Sequence, residues 1–359
     1  MELVQYMNDG LRSIGAALSR FYLGNAAGRR FVLRFLSELK TSAAKRRANA
    51  ESGLNVPPFL IASIASRCNL HCAGCYARSG GVCSDHGSAN ELSADEWRTL
   101  FEEAAELGVS FILLAGGEPL LRRNVLEAAA ELPQLAFPVF TNGTLFDESY
   151  LSLFDAHRNL IPVLSIEGGE TETDARRGTG VAAAVEELMN ALNSRGILFA
   201  SSITVTRNNL DEVTDAAFVG ELRKKGCGVF FYVEYVPIES KTDALTLTEA
   251  DSARLLSRVA SLKSGFKDVS FLAFPGDEKH MDGCLAAGRG FFHINPTGGA
   301  EPCPFSPYSA LNVRNGGLRA AIASPFFAHV RAISQADGGH SGGCTLFAHA
   351  DEVKAFLEV

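Results

Sequence analysis

No apolar run in these 359 residues approaches the roughly 18 needed to cross a bilayer, although 47% of them are apolar. An integral membrane protein is therefore not expected. The first residues also lack the basic, apolar, small-residue leader of a secreted chain. Eight cysteines in so long a chain then suit cofactor ligands in a reducing compartment better than a disulfide framework, and the expected location is the cytoplasm. Positive charge is scarce except at the start. The chain carries 33 Lys and Arg against 41 Asp and Glu, a net of −8. Residues 1–50 hold nine cations (Arg12, Arg20, Arg29, Arg30, Arg34, Lys40, Lys45, Arg46, Arg47) against Glu2, Asp9 and Glu38, a net of +6, so residues 51–359 carry −14. Such an acidic body is repelled by phosphate backbones, which argues against nucleic acid as a partner.

Within the basic arm, Leu3, Met7, Leu11, Ile14, Leu18 and Phe21 recur at helical spacing, and Phe31, Val32, Phe35, Leu36 and Leu39 form a second stripe. Two amphipathic helices with basic faces are expected. Either they pack on the rest of the chain with their charges solvated, or they dock on an anionic partner, including peripheral contact with a membrane surface through residues 1–50.

The densest chemistry lies in Arg67-Cys68-Asn69-Leu70-His71-Cys72-Ala73-Gly74-Cys75-Tyr76, a Cys-x3-Cys-x2-Cys run directly after an apolar stretch that reads as a strand. Three thiolates on one short loop hold three irons of a [4Fe-4S] cube and leave the fourth open. A zinc site is the alternative, with His71 as fourth ligand, but structural zinc usually takes paired Cys-x2-Cys or Cys/His ligands and no second pair stands nearby. Thiolate softness suits iron-sulfur. This spacing, with an aromatic residue after the third cysteine, resembles the signature of the radical S-adenosylmethionine (radical SAM) enzymes. The resemblance implies that Cys68, Cys72 and Cys75 hold the cluster, that SAM binds its open iron beside Tyr76, and that reductive cleavage of SAM gives a 5′-deoxyadenosyl radical that abstracts hydrogen from a substrate. It also implies an electron donor such as ferredoxin or flavodoxin.

From about residue 57 the chain alternates strand and helix patterns. Strands are expected at 58–65, 109–115, 137–140, 161–166, 197–205 and 229–236, with helices at roughly 123–131, 147–157, 181–194 and 211–225, and Ser93-Ala94-Asp95-Glu96 reads as a capping box opening a helix that runs to about Leu107. This is an α/β pattern with a parallel sheet. Six units resemble the partial (β/α)6 TIM-like barrel of the radical SAM family, although periodicity alone leaves a full eight-unit barrel open. In such barrels chemistry gathers at the C-terminal strand ends. There the second strand ends in Gly116-Gly117-Glu118-Pro119, the third in Thr141-Asn142-Gly143 and the fourth in Ser165-Ile166-Glu167-Gly168. Each alone is an ordinary turn or a solvated carboxylate. Together they resemble the family's SAM-binding elements, with Asn142, Ser165 and Glu167 carried over. Arg176-Arg177-Gly178-Thr179-Gly180 resembles the Arg-Gly element that follows in the family, which implies that Arg177, directly before the glycine, pairs with the SAM carboxylate, a role that a guanidinium's bidentate geometry suits. On the fifth strand Ser202, rather than Thr204 on the same face, is the expected ribose contact.

Toward the C-terminus, Cys284 is followed after thirteen residues by Gly298 and after four more by Cys303. This resembles the hairpin that holds an auxiliary [4Fe-4S] cluster in SPASM and Twitch domains, with Cys344 as the natural third ligand. No Cys-x2-Cys-x5-Cys run follows Cys303, so a shortened, Twitch-like domain with one auxiliary cluster is implied. Cys83 and Cys227 are left as its fourth ligand or as buried thiols, and a non-cysteine ligand or an iron left open for substrate remains an alternative. The expected division is a helical basic arm over 1–56, a radical SAM barrel over 57–262 and an auxiliary-cluster domain over 263–359. No catalytic acid or base is assigned, with Glu234, Tyr235 and His293 as candidates. The expected substrate is a small or lipid-like molecule. Peptide or protein maturation is the alternative, and a non-catalytic metal-binding scaffold the remaining one.

Overall fold

A computed structural model describes residues 18, 20–22, 26–237, 240–274, 283–336 and 344–358. The apolar runs form the strands β1 (Phe59–Ala65), β2 (Phe111–Gly116), β3 (Phe137–Thr141), β4 (Leu160–Ile166), β5 (Phe199–Val205), β6 (Cys227–Glu234) and β7 (Ser270–Phe274). Consecutive strands are neighbours and all pair in parallel. Side chains alternate across the sheet. Ala62, Ile64, Val139, Ile203 and Phe230 belong to the main core shared with the crossover helices. On the other face, Val163, Ala200 and Val229 make a smaller cluster with Phe140, Phe231 and Leu272.

The sheet does not close into an eight-unit barrel. Beyond β1 it continues into the hairpin of β8 (His293–Ile294) and β9 (Ala300–Glu301), giving the order β7-β6-β5-β4-β3-β2-β1-β8-β9. β8 runs parallel to β1 and antiparallel to β9. The outcome is the expected partial barrel, with one more β/α unit than the six strands read from the sequence. The added unit is helix Glu249–Gly265 with β7, and Thr248 and Asp251 cap that helix reciprocally. The capping box at Ser93 and Glu96 is formed. The helix expected at 211–225 breaks into Leu210–Val213 and Ala216–Lys225, because Asp215 caps a fresh start by accepting from the Ala217 amide at 2.7 Å.

Helix Ala26–Glu51 closes the end of the sheet where the strands begin. Phe31, Val32, Phe35 and Leu39, with Leu18, Phe21 and Tyr22, pack on Phe111, Ala136, Ile161 and Leu198, which sit at or just before the starts of β2 to β5. Phe31 stacks on Phe35 at 5.6 Å, and Phe35 meets Phe111 edge-on at 5.4 Å. Leu36, expected in this stripe, is instead 41% exposed, because at about 100° per residue it falls off the line joining Phe31, Phe35 and Leu39. Of the first stripe, Leu18 and Phe21 are seen in this cluster; Leu3, Met7, Leu11 and Ile14 lie outside the described residues.

Candidate active site

The cysteine loop follows β1 and is seated by its neighbours' backbone. Gly117 N donates to Ala65 O at 2.7 Å and Glu118 N to Arg67 O at 2.8 Å. A Cβ on Gly117 would lie 2.0 Å from Arg67 O, and Gly116 has φ +126°, so only glycine lets the two loops approach this closely. Glu118 is 1% exposed. Its carboxylate accepts from Leu120 N at 3.0 Å, Thr141 Oγ1 at 2.8 Å and Asn142 N at 2.9 Å. Burial pushes that carboxyl up and these donors oppose it. The Glu118 side chain thus ties the end of β2 to the end of β3. Asn142 Nδ2 then donates to Asn69 Oδ1 at 2.9 Å, beside Cys68. Gly74, at φ +64°, has Tyr235 so close that a Cβ would meet the phenol oxygen at 2.3 Å, and Tyr235 Oη donates to Thr242 Oγ1 at 2.8 Å. The Tyr235 ring is therefore a wall of the loop between Cys72 and Cys75.

Glu167 organises the opposite side. Its Oε1 accepts from Arg176 at 2.6 Å and from Arg177 Nε at 2.9 Å and Nη2 at 2.5 Å, while Oε2 accepts from Thr204 N at 3.0 Å. Ala73 N, inside the cysteine loop, donates to Arg176 O at 2.9 Å. Two guanidiniums on one carboxylate leave a net positive charge near the cysteines. Burial pushes the Cys72 thiol up, and Arg177 followed by Arg176 oppose it; Cys68 is also pushed up by burial. Cys75 is instead pushed down to about 5, chiefly by a hydrogen bond from the Cys83 thiol. Ser165 and Ser202 are register partners on one sheet face, both half-buried.

The C-terminal cysteines lie in or against the main core. Cys284 and Cys303 are buried, and Ala287 N donates to Pro302 O at 3.1 Å, joining their segments. Cys344 is half-buried on the same core, at the start of helix Thr345–Ala348. Tyr76 spans the two regions. Its ring meets Phe305 edge-on at 5.2 Å, and burial first, then the nearby Cys75 and Cys303, push its phenol up. Beside it runs a buried chain that the sequence reading did not connect. His293 Nε2 bonds Ser63 Oγ at 2.7 Å, His293 Nδ1 bonds Glu301 Oε2 at 2.7 Å, and Asn295 donates to Glu301 Oε1 at 2.6 Å. This chain fastens the β8–β9 hairpin to β1. Parallel pairing of β1 with β8 brings Ser63 and His293 together across 230 positions, so only the hairpin's turn, Asn295-Pro296-Thr297-Gly298, was a local signal. Glu234 accepts from Ser252 Oγ at 2.7 Å under helix Glu249–Gly265. Cys227 opens β6 at the far end of the sheet, where burial pushes its thiol up to about 12. That position separates it from the other cysteines.

These residues fit iron-sulfur ligation. Two guanidiniums near Cys72 and a thiol donor on Cys75 favour thiolates, as a cluster's outer partners should. In the second region Ser306, three residues past Cys303, is 0% exposed, and its hydroxyl has no partner among the described residues. An orphaned donor there suits a group that offers acceptor sulfurs. His71, the possible fourth zinc ligand, pairs with Asp85 at 2.9 Å, and no three His, Cys, Asp or Glu side chains among the described residues are grouped to hold a single metal ion.

Comparison with known proteins agrees with this chemistry. The Radical SAM superfamily profile matches residues 62–219. An AdoMet-dependent heme synthase of Methanosarcina barkeri is 28% identical over 297 residues, spanning 74% of this chain and 82% of that protein. The mycofactocin maturase MftC of Mycolicibacterium smegmatis is 26% identical over 271 residues, spanning 71% of this chain and 66% of that one. The fold resembles that of Streptococcus suis SuiB bound to precursor peptide SuiA, with a TM-score of 0.65 at 17% identity, covering 85% of this chain and 70% of SuiB. Residues 62–219 thus form a radical SAM domain, and the chain is a radical SAM enzyme in its chemistry, using a [4Fe-4S] cluster and SAM.

Proposed function

We propose that this enzyme abstracts a hydrogen atom from a peptide and so matures it. When bound, the [4Fe-4S] cluster supplies the electron for reductive cleavage of SAM to the 5′-deoxyadenosyl radical. Cys68, Cys72 and Cys75 are its ligands in this reading. Gly116, Gly117 and Pro119 bring backbone to the methionine end of SAM, with Glu118 holding that turn against Asn142. Arg177, sharing Glu167 with Arg176, meets the SAM carboxylate, while Ser165 and Ser202 face the nucleoside and Tyr76 lines the approach. Cys284, Cys303 and Cys344 hold the auxiliary cluster, and a small electron-transfer protein is the donor. The sequence alone favours a small or lipid-like substrate. What supports the peptide reading instead is that relatives matching well past residues 62–219 include both the mycofactocin maturase, over 71% of this chain, and a PqqA peptide cyclase of Granulibacter bethesdensis, over 70%. The open sheet supports it, because among the described residues β7 and β9 are edges, and a chain segment needs such an open side to reach the half-buried Phe140 and Phe231.

A small-molecule substrate is the second reading, favoured by the heme synthase likeness over 82% of that protein. Deuterated cell extract separates the two. The reduced enzyme is given SAM and the low-mass fraction of cells grown in deuterium oxide, and deuterium in 5′-deoxyadenosine is read by mass spectrometry. Transfer that disappears after protease digestion of the fraction supports a peptide. Transfer that survives digestion overturns that reading in favour of a small molecule.

A further inference from the structure

We propose that the outward face of helix Ala26–Glu51 is a docking surface for an anionic phospholipid bilayer. Leu33 and Leu36 enter the headgroup layer, and Arg30, Arg34, Lys40 and Arg47 meet lipid phosphates and carboxylates. The helix's inner aromatic face is already consumed by the sheet. Leu33, at 72% exposed, and Leu36, at 41%, are the two most exposed large apolar side chains among the described residues. At about 100° per residue, Leu33, Leu36, Lys40 and Arg47 fall within about 60° of one another, with Arg30 about 60° and Arg34 about 100° further round the helix from Leu33. All four cations are exposed. Leucines ringed by cations are the composition of an interfacial helix, not of a solvated one.

Charge complementarity selects the occupant. Residues 51–359 carry −14 while residues 1–50 carry +6, so an anionic surface attracts this face and repels the rest of the molecule. The helix is also held firmly on the body. Lys45 donates to Ala105 O at 2.9 Å, Asn49 to Leu107 O at 3.0 Å, and Arg46 to Ser110 Oγ at 3.1 Å. Docking therefore needs no ordering of this helix, which removes a cost that a disordered segment would incur. None of the described helices is long and apolar enough to cross a membrane, so contact stays at the surface. Because the helix caps the strand starts, the cysteine loop at the opposite strand ends faces away from the bilayer.

The test is co-sedimentation of the full chain, reconstituted without oxygen, with vesicles of phosphatidylcholine alone or mixed with phosphatidylserine. The protein is expected to pellet with the mixed vesicles only, and to be released by high salt. Each cation contributes roughly fivefold near such a surface, so Arg30→Glu/Arg34→Glu/Lys40→Glu should bring pelleting down to the phosphatidylcholine level. Leu33→Gln/Leu36→Gln should weaken it roughly tenfold. These positions are exposed, and unchanged iron content and circular dichroism confirm that the variants fold. The proposal is overturned if the wild-type chain stays in the supernatant, if the charge variant pellets like wild type, or if the leucine variant binds undiminished. The first of these would assign the face to a protein partner.

Discussion

The C-terminal strand ends are held by buried carboxylates: Glu118 between β2 and β3, Glu167 between β4 and the arginine pair, and Glu234 beneath helix Glu249–Gly265. The N-terminal ends of the same strands are held by rings, with Phe35 edge-on to Phe111, Phe31 stacked on Phe35 and Tyr22 edge-on to Phe31. The difference separates two requirements. Apolar packing stabilises without fixing any donor or acceptor direction. A buried hydrogen-bonded carboxylate adds little net stability but sets atoms within tenths of an ångström, and it is costly when a partner is missing. One sheet thus has an end that supplies stability and an end that supplies geometry, and substitutions at the two should fail in different ways.

The largest effect is expected from Glu167→Ala, which leaves the Arg176 and Arg177 guanidiniums buried without their carboxylate. Breaking such a pair costs about 3–5 kcal/mol. Urea denaturation of the apoprotein should show that loss together with weaker SAM binding. Phe35→Ala should cost nearly as much, about 3–4 kcal/mol, yet leave SAM cleavage per folded molecule unchanged; a matching fall in cleavage would erase the distinction between the ends. Thr141→Val removes one donor from Glu118 and should cost about 1–2 kcal/mol, with a measurable rise in the SAM dissociation constant. The smallest effect is on Cys75. Its titration is held below the ordinary thiol range, so the stability it contributes is fully present above that range and is lost as pH falls through about 5. In the apoprotein, iodoacetamide should therefore modify Cys75 well below neutral pH, and Cys83→Ala should move the midpoint up toward about 8.5.

Much of this was legible in the sequence because it is local. Alternating apolar runs located six strands, Ser93 and Glu96 announced their helix, and the cysteine spacing with Gly116-Gly117-Glu118-Pro119 marked the strand ends where the loop sits. β7 carried a signal that was passed over, since Thr248 and Asp251 form a capping box ahead of it. The chain from Ser63 through His293 to Glu301 was not readable, because it depends on β8 pairing with β1. The bond from Cys83 to Cys75 depends on how the loop folds back, with Cys83 N on Ala77 O at 2.8 Å. The hydrogen bonds that Glu118 accepts from Thr141, Asn142 and Leu120 were likewise not readable, because sequence order does not tell an inward carboxylate from an outward one.

The most direct measurement is anaerobic reconstitution of the wild-type chain and of the Cys68→Ala/Cys72→Ala/Cys75→Ala variant, with iron and sulfide counted and 5′-deoxyadenosine assayed after dithionite and SAM. About eight irons with cleavage in the wild type, against about four and none in the variant, is the expected result for two [4Fe-4S] sites. Bound zinc without cleavage, or cleavage that survives the triple substitution, would contradict it.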